Sequence, residues 1–273
     1  MEPVSWASAD IDVERPSVAR IYDYHLGGFH NFAADRRAAE QIAALMPELP
    51  LIMRANRAFL RRAVEFLVAA GVRQFLDLGS GIPTVGNVHE IAQRAVPDAR
   101  VVYVDLDPVA VAHSRALLAG NDNAAAVQGD LRDVSVVLRS PEVTGLIDFA
   151  EPVAVLMVAV LHFVPDRDDP AAIVADYLDA VAPDSYLVIS HAAASEEESA
   201  PSGADAATAA YSRTVAEATL RTRGQVAGLL AGVEMVAPGV VYVNEWRPEP
   251  GGSDQPDRRL AQLVAVGHKP VVA

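Results

Sequence analysis

The stretch Phe75-Leu-Asp-Leu-Gly-Ser-Gly-Ile-Pro-Thr84 decides the fold that we predict for this chain. It begins as an apolar run that contains the acid Asp77, and it continues into a loop with glycines at 79 and 81. A helical segment follows. A strand, a glycine loop and a helix in this order let a ligand approach bare backbone near the helix N-terminus. The stretch therefore predicts the nucleoside-binding corner of an α/β fold.

The spacing of the glycines helps to separate two classes of ligand. A dinucleotide site has Gly-x-Gly-x-x-Gly or Ala, whereas Thr84 occupies the third position here and Asp77 precedes the first glycine. Asp-x-Gly-x-Gly instead suits a ligand without phosphate, such as S-adenosylmethionine, whose amino acid portion carries an ammonium group. A tight turn that binds no ligand is the remaining alternative.

Strand and helix patterns alternate after Gly71. The predicted strands cover residues 74–78, 100–104, 124–127, 153–160 and 186–190, and the predicted helices cover 85–95, 108–119, 131–138 and 170–182. Continuous apolar strands separated by helices indicate parallel pairing with right-handed crossovers. We therefore predict an α/β fold with a doubly wound, mainly parallel sheet, a further helix at 208–230 and two last strands at 240–246 and 263–267.

The N-terminal part has a different pattern. Helical periodicity over 17–26, 35–45 and 51–70, with glycines after the first and third runs, predicts an arm and helical cap over residues 1–70. The remaining residues, 71–273, form the predicted ligand-binding domain. Residues 192–207 are small and acidic, which is typical of a mobile lid or of a solvated linker.

Composition limits the partners that we expect. The formal net charge is −14, which disfavours nucleic acid, and there is no cysteine to form a disulfide or a thiolate metal site. The histidines lack ligand spacing, so no metal is expected. The apolar run 153–164 is too short to span a bilayer and no secretory signal is visible, so we expect a cytoplasmic protein without a membrane partner.

Four polar residues follow predicted strands. Asp105 is placed to bind both ribose hydroxyls, whereas Asp107 before Pro108 is explained as a helix cap. Asp130 could accept from an adenine amino group, cap a helix, or do both. His162 follows the fourth strand, where it is either a general base or a packed, hydrogen-bonded residue.

These motifs resemble class I S-adenosylmethionine-dependent methyltransferases. The chain more narrowly resembles an actinobacterial methyltransferase-like family of largely unassigned substrate, and the likeness rests on the blocks 20–28, 31–32, 35–36, 74–84, 161–166 and 246–248. The resemblance implies a Rossmann-like methyltransferase fold with an antiparallel last strand, and N-terminal helices that close over the cofactor. It implies a cofactor site formed by Asp77, Gly79, Ser80, Gly81, Asp105, Leu106, Asp130 and Leu131.

The N-terminal block supplies further candidates. Tyr24, Gly27, Gly28 and Asn31 match the family block and are candidates to line the pocket, although Tyr22 and Tyr24 fit equally well as core aromatics with satisfied hydroxyls. His25 and His30 depart from the family block and are discounted as catalytic residues.

Three functions are compatible with the sequence. The first is a methyltransferase that acts on O or N of a small molecule, and the acidic surface favours a small or cationic substrate. The second is a module that binds S-adenosylmethionine or S-adenosylhomocysteine without catalysis. The third, an NAD-dependent oxidoreductase, is disfavoured by Thr84. Oligomeric state has no signature in the sequence.

Overall fold

A computed structural model describes residues 12–83, 86–194, 203–249 and 260–271. The core of the described chain is a twisted sheet. Its strands are β1 (Gln74–Leu78), β2 (Arg100–Asp105), β3 (Ala124–Gln128), β4 (Val153–Val158), β5 (Tyr186–Ala192), β6 (Glu234–Met235), β7 (Val241–Tyr242) and β8 (Gln262–His268).

The sheet has the order β3, β2, β1, β4, β5, β8, β6, and β7 also pairs with β8. The first five strands are parallel, whereas β8 runs antiparallel to β5. The chain reverses direction in sheet order between β1 and β4, which opens a crevice beyond their carboxyl ends. The predicted α/β class, the parallel sheet and the antiparallel last strand are confirmed.

Helices cover both faces of the sheet. They are α1 (Val18–His25), α2 (Ala33–Leu45), α3 (Leu49–Ala69), α4 (Val88–Ala95), α5 (Pro108–Leu117), α6 (Val134–Leu138), α7 (Pro141–Leu146), α8 (Pro170–Ala180), α9 (Gly203–Thr214) and α10 (Arg223–Leu229).

Alternate residues of the central strands enter different hydrophobic clusters. Phe75 packs into the cluster that also contains Ile21, Ile42 and Phe59, whereas the next residue, Leu76, packs into the cluster on the other face. The N-terminal helices α1 to α3 therefore share one apolar core with the sheet. The division of the chain at residue 71 stays a prediction.

Several predicted elements differ from the observed ones. The strand expected at 153–160 ends at Val158, because Ala159 turns into the left-handed region with φ +57°. The helix expected at 131–138 begins only at Val134, since a turn joins Asp133 N–H to the Asp130 carbonyl. Helix α7, with proline at its start, was not expected.

The prediction of a single helix at 208–230 is wrong. Two helices, α9 and α10, are separated by the non-helical residues 215–222. These residues do not continue the helix, because the buried Arg221 side chain donates to the carbonyls of Leu161 and Val164. Thr222 then accepts from Gln225 N–H and starts α10. Residues 215–222 cover the carboxyl edge of the sheet, and Ala216 of this segment lines the candidate functional site.

Two other predicted segments lie partly outside the described residues. Of the predicted arm at 1–16, residues 1–11 lie outside the described part. Of the loop expected at 192–207, residues 195–202 lie outside the described part, residue 192 ends β5, and residues 203–207 belong to α9 instead.

The strand expected at 240–246 is shorter than predicted. Only Val241–Tyr242 is extended, because Glu245 N–H bonds back to the Tyr242 carbonyl.

Candidate functional site

A cavity of about 470 Å³ opens at the carboxyl ends of β1, β2, β3 and β4. We call it the edge cavity. It brings together all eight residues that the sequence assigned to a cofactor, and α1 and α3 close its other side. Its lining is Ser17, Val18, Ala19, Tyr22, Asn56, Arg57, Leu60, Asp77, Gly79, Ser80, Gly81, Asp105, Leu106, Asp107, Pro108, Gly129, Asp130, Leu131, Arg132, Val158, Ala159, Val160, Phe163, Val164 and Ala216.

The loop after β1 has a backbone that only glycine adopts easily. Gly79 and Gly81 have φ of +71° and +68°, in the left-handed region that side chains disfavour. A Cβ built on Gly79 would lie 2.3 Å from Cγ2 of Val160, whereas one built on Gly81 would meet nothing within 4 Å. The first glycine is therefore required twice, by its dihedral angle and by the close approach of the chain after β4.

Asp105 ties the glycine loop to the start of α5. Its carboxylate accepts from the N–H of Gly81 at 2.7 Å and from the N–H of Asp107 at 2.8 Å. Burial raises the pKa of Asp105 to about 6, although these N–H donors oppose the shift. Each carboxylate oxygen accepts more than one hydrogen bond, so the group can still accept from two vicinal hydroxyls of a ligand.

Asp107 has the structural role that its sequence predicts. Its carboxylate accepts from Val109 N–H at 2.7 Å and caps α5, with Pro108 as the first helical residue. Its other oxygen contacts the hydroxyl of Ser17, the residue before α1. Arg20 of α1 lies 3.2 Å from a carboxylate oxygen of Asp35 and 3.9 Å from one of Asp107. This cluster fastens the N-terminal helices to the edge cavity.

Asp77 lies at the bottom of the cavity, 5% exposed. Burial raises its pKa to about 7, the nearby charge of Asp105 adds to the rise, and the guanidinium of Arg57 opposes it. Two buried carboxyl groups with raised pKa values favour a cationic ligand, because a positive charge stabilises their ionised forms. Arg57, whose guanidinium donates to the Gly86 carbonyl at 3.2 Å, adds a positive charge to the same cavity, and a positive charge suits a ligand carboxylate.

The far end of the cavity combines apolar and charged side chains. Leu106, which is 62% exposed, and Leu131 line it together with Asp130. Asp130 does not cap α6. Its carboxylate instead accepts from the backbone and side chain of Arg132, which lowers its pKa, and Arg132 also contacts Asp168. Asp130 thus remains ionised, with apolar side chains beside it that suit a flat ring.

A second, smaller cavity of about 110 Å³ adjoins the first. We call it the inner cavity. It shares Val18, Tyr22, Asn56, Ala159 and Phe163 with the edge cavity. Its remaining lining residues come from α2, α3, α9 and the segments beside β4, β5 and β8: Ile42, Met46, Leu49, Ile52, Met53, His162, Ala192, Ala207, Thr208, Tyr211, Ala218, Leu220, Ala261 and Gln262.

His162 lies in the wall of the inner cavity, in the short helical turn Leu161–Phe163. Burial, reinforced by His191 and by the charge of Arg221, holds its pKa well below 6.5, so the imidazole is neutral at pH 7. Its buried Nδ1 has no hydrogen-bond partner among the described residues. His191 differs, because its Nδ1 donates to the Ala192 carbonyl and its Nε2 accepts from Arg221.

A buried polar network holds the backbone where the two cavities meet. Asn56 accepts from the hydroxyl of Ser190 at 2.6 Å, and that hydroxyl accepts from Gln262 and from the N–H of Ala159. Asn56 also donates to the Tyr22 hydroxyl at 3.0 Å. This network supports the left-handed conformation of Ala159, which costs about 1–3 kcal/mol in a residue other than glycine.

The N-terminal candidates lie elsewhere. Tyr24, Gly27, Gly28 and Asn31 line neither of the two cavities. Asn31 donates to the buried Asp23 at 2.9 Å, and a Cβ on Gly28 would lie 2.0 Å from the same carboxylate. Tyr24 donates to Glu40 at the surface. These residues shape the turn after α1, and a role in ligand binding stays a prediction.

Sequence reasoning missed several lining residues. Arg57 and Asn56 lie on α3, and Ala216 lies in the segment between α9 and α10. Nothing in their local sequence points to a site, since only the packing of α3 and of residues 215–222 over the sheet brings them there. The pattern Thr222-x-x-Gln225 is a capping box that does signal the start of a second helix.

The fold and the site together define a Rossmann-like protein whose edge cavity suits a nucleoside. Three features fit S-adenosylmethionine. Asp105 can hold its ribose, the raised-pKa carboxyls complement its ammonium and sulfonium charges, and Arg57 complements its carboxylate.

A family model described as S-adenosyl methyltransferase matches residues 4–270. The chain belongs to this family, so it is an S-adenosylmethionine-dependent methyltransferase, and S-adenosylmethionine is its cofactor. This identification decides against the oxidoreductase and the non-catalytic module.

Solved structures agree with the identification. A candidate methyltransferase from Thermobifida fusca is 37% identical, with a TM-score of 0.91, and the match covers 98% of this chain and 100% of that one. A DUF574 family protein from Streptomyces avermitilis is 39% identical, with a TM-score of 0.90 and coverage of 95% and 99%.

An O-methyltransferase family protein from Burkholderia thailandensis shares the fold, at 17% identity and a TM-score of 0.51 over 88% of this chain and 61% of that one. No curated protein matches the sequence.

Among the described residues, none of the helices is long and apolar enough to cross a membrane. The same residues contain no group of three or more histidine, aspartate or glutamate side chains arranged to hold a metal ion.

Proposed function

We propose that this methyltransferase acts on an oxygen or nitrogen atom of a small molecule that binds in the inner cavity. The observation that supports the proposal is the junction of the two cavities at Ala159 and Phe163. A cofactor in the edge cavity and an acceptor in the inner cavity would meet there, away from bulk water.

The protein's main contribution would be alignment. When bound, S-adenosylmethionine supplies a methyl group on a positively charged sulfur, to which the C–S bonding pair returns. The walls of the inner cavity would hold the acceptor atom in line with that methyl group and exclude water, which can account for several kcal/mol of the barrier. Arg57 and Asp105 would fix the cofactor, and Tyr22 and Asn56 would separate the two ligands.

His162 is the side chain that we propose as acceptor of the substrate's proton. It is neutral at pH 7 and lines the inner cavity. Its lowered pKa makes it a weak base, so we expect a contribution near the lower end of the usual range for such catalysis, about 10²-fold. Arg221 would act as a positioning residue, since it donates to the carbonyls of Leu161 and Val164 on both sides of His162.

Calorimetric titration with S-adenosylhomocysteine tests the cofactor site. We expect binding by the wild type, loss of binding in Asp105→Ala, and no change in Asp98→Ala, a control at an exposed aspartate. Retention of affinity in Asp105→Ala would contradict the assignment of the ribose site.

A second experiment tests the class of acceptor. The enzyme, a cell extract and S-adenosylmethionine with a labelled methyl group are incubated together and separated by filtration. Label in the small-molecule fraction supports the proposal, whereas label only in macromolecules contradicts it. His162→Gln should slow the reaction and leave cofactor affinity unchanged, and His268→Gln, whose side chain pairs with Asp184, is the matched control.

A further inference from the structure

We infer that the acceptor is an uncharged, largely apolar molecule the size of a single six-membered ring that carries one hydroxyl or N–H group. This inference rests on the proposed function and specifies the substrate class for the inner cavity. It departs from the cationic substrate that the net charge of −14 would favour.

The residues that line the inner cavity include no aspartate, glutamate, lysine or arginine among those the structure describes. Most are aliphatic or aromatic, such as Met46, Met53 and Tyr211. An ion without a partner is costly to transfer into such surroundings. The acidic groups that give the protein its net charge therefore do not select the acceptor.

The inner cavity measures about 110 Å³. An apolar cavity of about 150 Å³ in another protein accommodates benzene. A single ring is thus near the upper limit for the inner cavity, and the substituent that receives the methyl group would extend toward the junction with the edge cavity. A fused two-ring system would exceed the space between α2, α3 and α9.

The wall of the inner cavity also contains polar side chains. Three of the polar groups in the wall already bond to protein: the Tyr22 hydroxyl donates to the Met53 carbonyl, and Asn56 and Gln262 are joined through Ser190. His162 differs from them, because its Nδ1 lacks a partner among the described residues. The hydroxyls of Thr208 and Tyr211 complete the polar part of the wall. A neutral imidazole can accept one hydrogen bond, and His162 provides for one donor group on the acceptor once its ring turns the buried Nδ1 toward the cavity.

In the reaction, the lone pair of the acceptor oxygen or nitrogen forms the bond to the methyl carbon, and the C–S bonding pair goes to sulfur. The acceptor's own proton goes to His162 and then to solvent. No oxidant, reductant or metal is needed for this balance.

The test uses phenol, benzoate and 2-naphthol as probes, titrated into the enzyme saturated with S-adenosylhomocysteine. We expect phenol to bind, and benzoate and naphthol to bind at least about tenfold more weakly. Equal or tighter binding of benzoate would overturn the inference about charge, and equal binding of naphthol would overturn the inference about size.

Two variants locate the binding site of the probe. Ala218→Phe fills the inner cavity from the non-helical segment, whereas Ala171→Phe places the same side chain on the exposed face of α8. Phenol affinity should fall at least about tenfold in the first and stay unchanged in the second. Unchanged affinity in Ala218→Phe would show that phenol binds elsewhere and would refute the assignment.

S-adenosylhomocysteine affinity is measured in every sample. If it is normal and phenol fails to bind, the inference about the acceptor is wrong while the cofactor site stands. If the cofactor itself fails to bind, the proposed function has failed instead. Toluene compared with phenol tests the polar group: equal affinities would exclude the hydrogen bond to His162.

Discussion

The requirement for glycine at position 79 leads to the sharpest prediction. Alanine at this position would keep φ at +71° and bring its Cβ within 2.3 Å of Val160 Cγ2 and 2.7 Å of Val160 Cβ. The left-handed conformation costs about 1–2 kcal/mol for a residue with a Cβ. Relief of the overlap adds about 1–3 kcal/mol. The free energy of unfolding should therefore fall by about 2–5 kcal/mol in Gly79→Ala.

Gly81→Ala is the matched control. Its φ of +68° carries nearly the same conformational cost, but a Cβ there meets nothing within 4 Å. We expect a loss of only about 1–2 kcal/mol. The difference between the two variants isolates the close approach of Val160 to the loop.

Urea unfolding of both variants measures these values, and calorimetry with S-adenosylhomocysteine measures the effect on the site. Val160→Ala removes the methyl carbons at 2.3 and 3.3 Å but leaves Cβ. Combined with Gly79→Ala, it should recover part of the lost stability, which a double-mutant cycle would detect. Equal destabilisation by the two glycine substitutions, with no coupling to Val160, would refute the reasoning.

Three further predictions concern charged groups. Burial raises the pKa of Asp77 to about 7 from 3.8. The stability that its bound proton contributes to the folded state is therefore fully present below about pH 4 and is lost as the pH rises through 7. In urea unfolding, the stability of the wild type relative to Asp77→Asn should decrease between pH 4 and 8, by about 1.4 kcal/mol per unit of pKa shift, and a pH-independent difference would contradict this. Binding of cationic S-adenosylmethionine near pH 6 should release protons, so the calorimetric heat should depend on the buffer's ionisation enthalpy, less so in Asp77→Asn. Arg62→Met should destabilise the protein by about 2–4 kcal/mol, because the buried Arg62 donates to the carbonyls of Trp246 and Val243. Arg61→Met, at the partly exposed neighbour, should change stability by less than about 0.5 kcal/mol, and similar effects of the two substitutions would refute this contrast.

The predicted sheet is confirmed, and the structure places the predicted cofactor candidates along one cavity, because both depend on local order along the chain. Three acids lie at the carboxyl edge of the sheet, and each is on or just after a strand whose apolar pattern is unambiguous: Asp77, Asp105 and Asp130. Parallel strands direct their carboxyl ends to one edge, so residues far apart in sequence are brought together by topology alone. The glycine loop needs no tertiary information either, since its spacing reports its backbone conformation.

The inner cavity could not be predicted in the same way. Its walls come from α2, α3, α9 and the segment 215–222, whose residues are ordinary core types with no sequence signature. The sequence predicted one helix across that segment because its residues favour helix. Burial of Arg221 against the carbonyls of Leu161 and Val164 overrides that local preference, and no pattern in the sequence encodes this contact.

By itself, then, the sequence determined the class of fold, the edge of the sheet at which the candidate ligand-binding residues lie, and the likeness to S-adenosylmethionine-dependent methyltransferases. These features depend on periodicity and on short motifs. Only the tertiary structure decided which groups share one low-dielectric space. It placed Asp77, Asp105 and Arg57 close enough to shift pKa values, and it left the inner cavity without charged lining residues among those described, although the protein as a whole is acidic. Net charge adds over the whole surface, whereas a buried site responds to the few groups within reach of it.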